Sequence, residues 1–65
     1  MKEQIALAEF AIKHEGWHSY AQDALTVECV AGLHNMGIIE VSQDSPQFRL
    51  RSKQKAMQWL NAKKG

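Results

Sequence analysis

Ile38-Ile39-Glu40-Val41-Ser42, Gln43-Asp44-Ser45-Pro46 and Gln47-Phe48-Arg49-Leu50-Arg51 are the consecutive segments whose reading decides the fold. The middle four residues are turn formers, and each flank carries the β-branched, aromatic and apolar residues of a strand. Closing a hairpin there sets Val41 opposite Phe48, Glu40 opposite Arg49 and Ile39 opposite Leu50. Successive pairs point to opposite sides of a sheet, so the two apolar pairs share one side and the charged pair takes the other. The register is self-consistent, and strands are predicted over 38–42 and 47–51.

Outward from the hairpin the periodicity changes to that of helices. Upstream, a helix is predicted over 24–36, with Ala24, Val27, Val30 (beside Ala31) and Leu33 on its buried face. Asp23 is its predicted N-cap, with Thr26 in competition, and Asn35 and Gly37 stop it. Thr26, Glu28, Cys29, Gly32 and Asn35 are then expected to face solvent. Downstream, Ser52 caps a helix over 53–62 that docks Trp59 (or Met57) and Leu60 on the core, and Lys63-Lys64-Gly65 should fray. At the start of the chain, Ile5, Leu7, Ala8, Phe10, Ala11 and Ile12 form a broad apolar stripe on a helix over 3–14. Gly16 ends that helix as a residue free to take a left-handed turn. Trp17-His18-Ser19-Tyr20 reads as a short strand or a turn, and Ser19 as the cap of one extra turn through Gln22. The expectation is one α+β domain over 1–65: helices, a two-stranded hairpin and a C-terminal helix.

Size and composition narrow the function classes. A chain of 65 residues has room for one domain. Its single cysteine, Cys29, forms no internal disulfide and fits a reducing compartment. Burial of Trp17, Trp59, Phe10 and Phe48 is therefore expected to carry much of the stability, with homodimerisation as a further device at this size. The polar start and the lack of an apolar run near the ~20 residues of a membrane span point to no membrane and to the cytoplasm.

Charge is divided along the chain. Residues 1–46 carry Lys2 and Lys13 against seven acids, whereas residues 47–65 carry Arg49, Arg51, Lys53, Lys55, Lys63 and Lys64 and no acid. Folded onto one face, the basic segment would attract phosphate; folded against the acids, it would be neutralised within the fold.

The order of elements and the apolar pattern of Thr26 to Val41, with its Leu33-His34-Asn35-Met36-Gly37-Ile38-Ile39 step, resembles the winged helix-turn-helix family. Phe48-Arg49-Leu50-Arg51-Ser52 is similar to that family's second wing strand entering a C-terminal helix. The similarity covers about residues 24–60. It implies a recognition helix at 24–36, a hairpin wing and DNA binding. Such domains usually hold a complete helix before the recognition helix; here only Trp17 to Leu25 fill that gap, so a reduced form is expected. The solvent side expected for the recognition helix carries no Lys or Arg. Asn35 and Thr26 remain as possible base or backbone contacts, and phosphate affinity falls to Arg49, Arg51, Lys53 and Lys55.

Other constellations are weaker. His14-Glu15-Gly16-Trp17-His18 spells H-E-x-x-H, a zinc-protease motif that needs both histidines on one helical face. Gly16 and Trp17 fall where the helix should end. His14, His18, Cys29 and His34 have loosely zinc-like spacing, but Cys29 and His34 point in different directions on a helix. Cys29 lacks a base to make it a nucleophile. Trp17 could stack on a nucleobase or fill a core or dimer contact. The expectation is thus a DNA-binding, transcription-regulator-like protein without enzyme activity, metal or cofactor, using Arg51, Lys53, Lys55, Arg49, Asn35 and Thr26. The alternative is a protein-interaction module on the same scaffold, acting through its acidic helix surface.

Overall fold

In the computed structural model, which describes residues 2–64, the hairpin closes in the register read above. Strand β2 (Ile39–Val41) pairs antiparallel with β3 (Gln47–Leu50): Ile39 faces Leu50, Glu40 faces Arg49 and Val41 faces Phe48. The backbone N–H of Ser42 donates to the Gln47 carbonyl, and that of Arg51 to the Ile38 carbonyl, so pairing extends one step past each strand end. The hairpin is not alone, as the two-stranded expectation had it. His18–Ser19 forms a third strand, β1, on the other side of β3, which gives the antiparallel order β1-β3-β2. Ser19 pairs with Gln47, so it caps no extra turn; residues 20–22 are non-helical.

Three helices complete an α+β architecture compatible with a small winged-helix-like domain: α1 (Lys2–Lys13), α2 (Ala24–Asn35) and α3 (Lys53–Lys64). Asp23, not Thr26, is the N-cap of α2. Its carboxylate accepts from the Thr26 backbone N–H at 3.2 Å and from the Thr26 hydroxyl at 2.7 Å. The Ser52 hydroxyl accepts from the Lys55 N–H at the start of α3 in the same way. Lys63 and Lys64 continue α3 rather than fraying, and Gly65 lies outside the described residues. Gly37, at φ +77°, makes the left-handed step between α2 and β2.

The core lies where the three helices meet the inner face of the sheet: Ala8, Ala11, Val30, Leu33, Ile38, Ile39, Phe48, Ala56 and Leu60. Phe48 is its hub, with ring centres 6.0–6.3 Å from those of Phe10, His18 and Tyr20. The alanines let α1 and α3 approach closely. Two expectations about burial are corrected. Trp17 and Phe10 are each 41% exposed, so the large buried aromatic contribution comes from Phe48, with Trp59 half-buried. The second correction is to the rotation of α2. Cys29 is buried and Thr26 and Gly32 are half-buried, whereas Ala24 and Val27 lie in the open. At Gly32 a Cβ would stand 2.5 Å from the Gln4 amide nitrogen, so this side of α2 is pressed against α1. Among the described residues no helix is long and apolar enough to cross a membrane.

Candidate nucleic-acid interface

Residues two apart on a strand share a side. Glu40, Arg49 and Arg51 accordingly come out on the outer face of the sheet, away from Ile39 and Phe48. Arg49 is held from two directions. Its Nε donates to the Glu40 carboxylate on the neighbouring strand, and its guanidinium lies 4.6 Å from the Trp17 ring centre. Trp17 reaches this position because Gly16, at φ +96°, turns the chain from the end of α1 into β1. Glu15, Gly16, Glu40, Arg49, Leu50 and Arg51 line an open cleft of about 470 Å³.

Arg51 follows β3 directly, its N–H bonded to Ile38 at 2.9 Å. Lys53 opens α3, and Lys55 lies two residues further, about half a turn round the helix, its ammonium 3.2 Å from where a Gly37 Cβ would stand. These three exposed cations fall within five residues, beside the α2–β2 turn, and the first turn of α3 holds no acid. Exposed Asn35, the last residue of α2, lies just before that turn. The aligned peptide dipoles and free N–H groups at the start of α3 add positive potential there.

The six residues expected to touch DNA are thus not all brought together. Arg51, Lys53 and Lys55 gather where the hairpin base meets α3, with Asn35 near them. Arg49 is beside them but engaged with Glu40 and Trp17. Thr26 is elsewhere, at the start of α2, with its hydroxyl bonded to Asp23. The tip of the hairpin is at that far end too: Tyr20, just before α2, donates its N–H to the Pro46 carbonyl. Asp23 and Asp44 mark that end, and Arg51, directly after β3, stands at the opposite end of the hairpin. The cations therefore sit at the base of the hairpin.

The other open surface is α2. Ala24, Leu25, Val27, Glu28, Ala31, His34 and Asn35 are exposed, and Leu25 reaches 52% and Val27 39%. Val27, Ala31 and His34 form one wall of a groove of about 350 Å³ whose other wall is Val41, Ser42 and Gln43.

The H-E-x-x-H residues do not share a helical face, because α1 ends at Lys13. His18 Nε2 donates to the His14 carbonyl at 2.8 Å, and both rings pack on Phe10 at 4.5 and 4.8 Å. Cys29 is buried in α2. Among the described residues no three His, Cys, Asp or Glu side chains gather in a way that could hold a metal ion. Sequence reading missed the Trp17–Arg49 stack. The Glu40–Arg49 pairing was a usable signal for half of it, but nothing in the linear pattern brings residue 17 to β3 without β1.

Compared with known protein families, curated proteins and solved structures, the chain matches none.

Proposed function

We propose that this chain binds DNA through the phosphate backbone, with Arg51, Lys53 and Lys55 as the contacts. The observation that carries this reading is that the three exposed cations follow one another, with no acid between them, where β3 passes into α3. Glu40 of the hairpin pairs with Arg49, and the first turn of α3, with Lys53 and Lys55, holds no acid, whereas Arg51 also lines the cleft that holds Glu15 and Glu40. The exposed residues of α2 carry no Lys or Arg, so phosphate affinity is assigned to Arg51, Lys53 and Lys55, with exposed Asn35 beside them as the base contact. The test is fluorescence anisotropy on random duplex DNA between low and physiological salt. Three phosphate contacts predict a log–log slope near −3, at about −0.9 per contact. Absence of salt-sensitive binding at low salt would overturn the reading.

The exposed apolar residues of α2 favour a second reading, a protein-interaction surface on the same molecule. Leu25→Asp with Val27→Asp should then abolish association with a protein partner, or with a second copy in sedimentation, and leave DNA binding unchanged. A partner that binds this variant as it binds the parent chain would remove the α2 surface from consideration.

A further inference from the structure

We infer that Trp17 and Arg49 form a stacking platform for an unpaired nucleobase, so that the DNA held at this interface is single-stranded in preference to duplex. The inference rests on the phosphate-binding reading and specifies the form of DNA.

Trp17 is the starting observation. Burying an indole is among the largest apolar gains open to so small a chain, yet this one is 41% exposed while alanines fill the helix contacts. It is nonetheless held in place, because the Arg49 guanidinium lies on one side of it and Glu40 anchors Arg49 from the adjacent strand. An aromatic ring and a guanidinium plane are the two side-chain surfaces on which bases stack when they are splayed out of a helix. Here they are already stacked on each other, so little order remains to be imposed when a base arrives.

The surroundings separate base from phosphate. The adjoining cleft holds Glu15 and Glu40 against Arg49 and Arg51, a formal balance of charge that suits a neutral ring better than an anion. Trp17 and the preceding Gly16 are both exposed, so the ring is open to solvent beside the cleft. Arg51 leads from the cleft to Lys53 and Lys55, which a strand's phosphates would follow. In a duplex the bases are stacked and paired inside the helix, and neither the platform nor the cleft can reach them; a single strand presents both parts at once.

The experiment compares a mixed-sequence 12-nucleotide single strand with its duplex, on the full chain, by anisotropy and by tryptophan emission in a Trp59→Phe background. Tighter binding of the single strand, quenching of Trp17 emission by it, and a roughly tenfold loss of single-strand affinity in Trp17→Ala with duplex affinity kept would support the platform. Trp17→Leu keeps apolar bulk without the ring and should lose the same preference, which guards against a Trp17→Ala chain that fails to fold. Equal affinity for the two forms, or a Trp17→Leu chain that retains the preference, would overturn the platform and leave phosphate binding standing. Failure of both forms to bind at low salt would overturn phosphate binding itself.

Discussion

The outer face of the hairpin base and the exposed face of α2 are both open to solvent, and they differ in what holds their side chains. On the hairpin, Arg49 is tied to Glu40 and stacked on Trp17, and Lys55 lies along the backbone at Gly37. On α2, Leu25, Val27 and Ala31 project from a regular helix with no polar anchor between them. One surface carries Arg49, Arg51 and Lys55 together with Glu40 and is tied by cross-strand contacts; the other is apolar and carries only Glu28 as a full charge among residues 24–36. A polyanion is suited to the first and a protein surface to the second.

The sharpest way to break this comparison is to reverse the charge of the basic surface. Arg51→Glu with Lys53→Glu and Lys55→Glu should weaken DNA binding at 50 mM salt by at least about 40-fold. That is the loss that three phosphate contacts suffer on a fourfold rise in salt. Glu28→Lys on α2 should change the same affinity less than twofold. A large gain from Glu28→Lys would mean that DNA lies along α2 after all, and the two faces would have to exchange roles.

The glycines beside each part of the basic surface give a smaller effect. Gly16 and Gly37 both have positive φ, so alanine at either should cost about 1–2 kcal/mol of stability in urea melts. Only Gly37→Ala also crowds Lys55, whose flexible end must move a few tenths of an ångström. It should therefore weaken DNA binding slightly, whereas Gly16→Ala should leave duplex affinity as it was. Equal effects of the two on duplex binding would detach Lys55 from the interface.

How far the sequence reveals each face has a physical cause. The hairpin register was readable residue by residue because Ile39, Val41, Phe48 and Leu50 alternate with Glu40 and Arg49, and a one-residue slip would invert every side chain. The helices were readable for existence and ends: Asp23, Ser52, Gly16 and Gly37 are local signals that act through the backbone. The rotation of α2 was not. Between Ala24 and Asn35 apolar residues occur on every side, so the pattern has no clear phase. The expected inward face of Ala24, Val27, Val30 and Leu33 shares Val30 and Leu33 with the observed one of Cys29, Val30 and Leu33, and the two differ by roughly 80°, a little under the ~100° of one residue step. The packing of Gly32 against α1 decides it, and that contact is tertiary. The placement of Trp17 was hidden for a similar reason, since two residues of β1 are too short to alternate. The cluster of Arg51, Lys53 and Lys55 was legible because its members are neighbours in sequence.

The same contrast predicts small stability effects. A double-mutant cycle on Glu40→Ala and Arg49→Ala should give a coupling of a few tenths of a kcal/mol, because both side chains are partly solvated. Leu25→Ser and Val27→Ser should each shift stability by less than about 0.5 kcal/mol, as for residues outside the core. A cost well above 1 kcal/mol at Val27 would show that the α2 face is covered in solution, by a second copy in a purified sample, and sedimentation would then identify the dimer.

The smallest expected difference separates the caps of α2 and α3. Hydrogen bonds from the Thr26 hydroxyl, then from the Thr26 backbone N–H, hold the Asp23 carboxyl below its ordinary value of 3.8. A carboxyl whose folded pKa is depressed contributes stability that is fully present above its unfolded pKa and is lost as pH falls through the folded pKa. Acidification below about pH 4 should therefore weaken the start of α2. The start of α3, capped by the hydroxyl of Ser52, has no such titration at its cap. Asn at position 23 can still accept from the N–H groups of α2 but cannot be protonated in this range. Asp23→Asn should then flatten the acid limb of the stability curve while keeping helical content at neutral pH, as followed by circular dichroism during acid titration. If the acid limb is unchanged in Asp23→Asn, the pH sensitivity belongs to other carboxylates, and the cap of α2 contributes no more to it than the hydroxyl cap of α3.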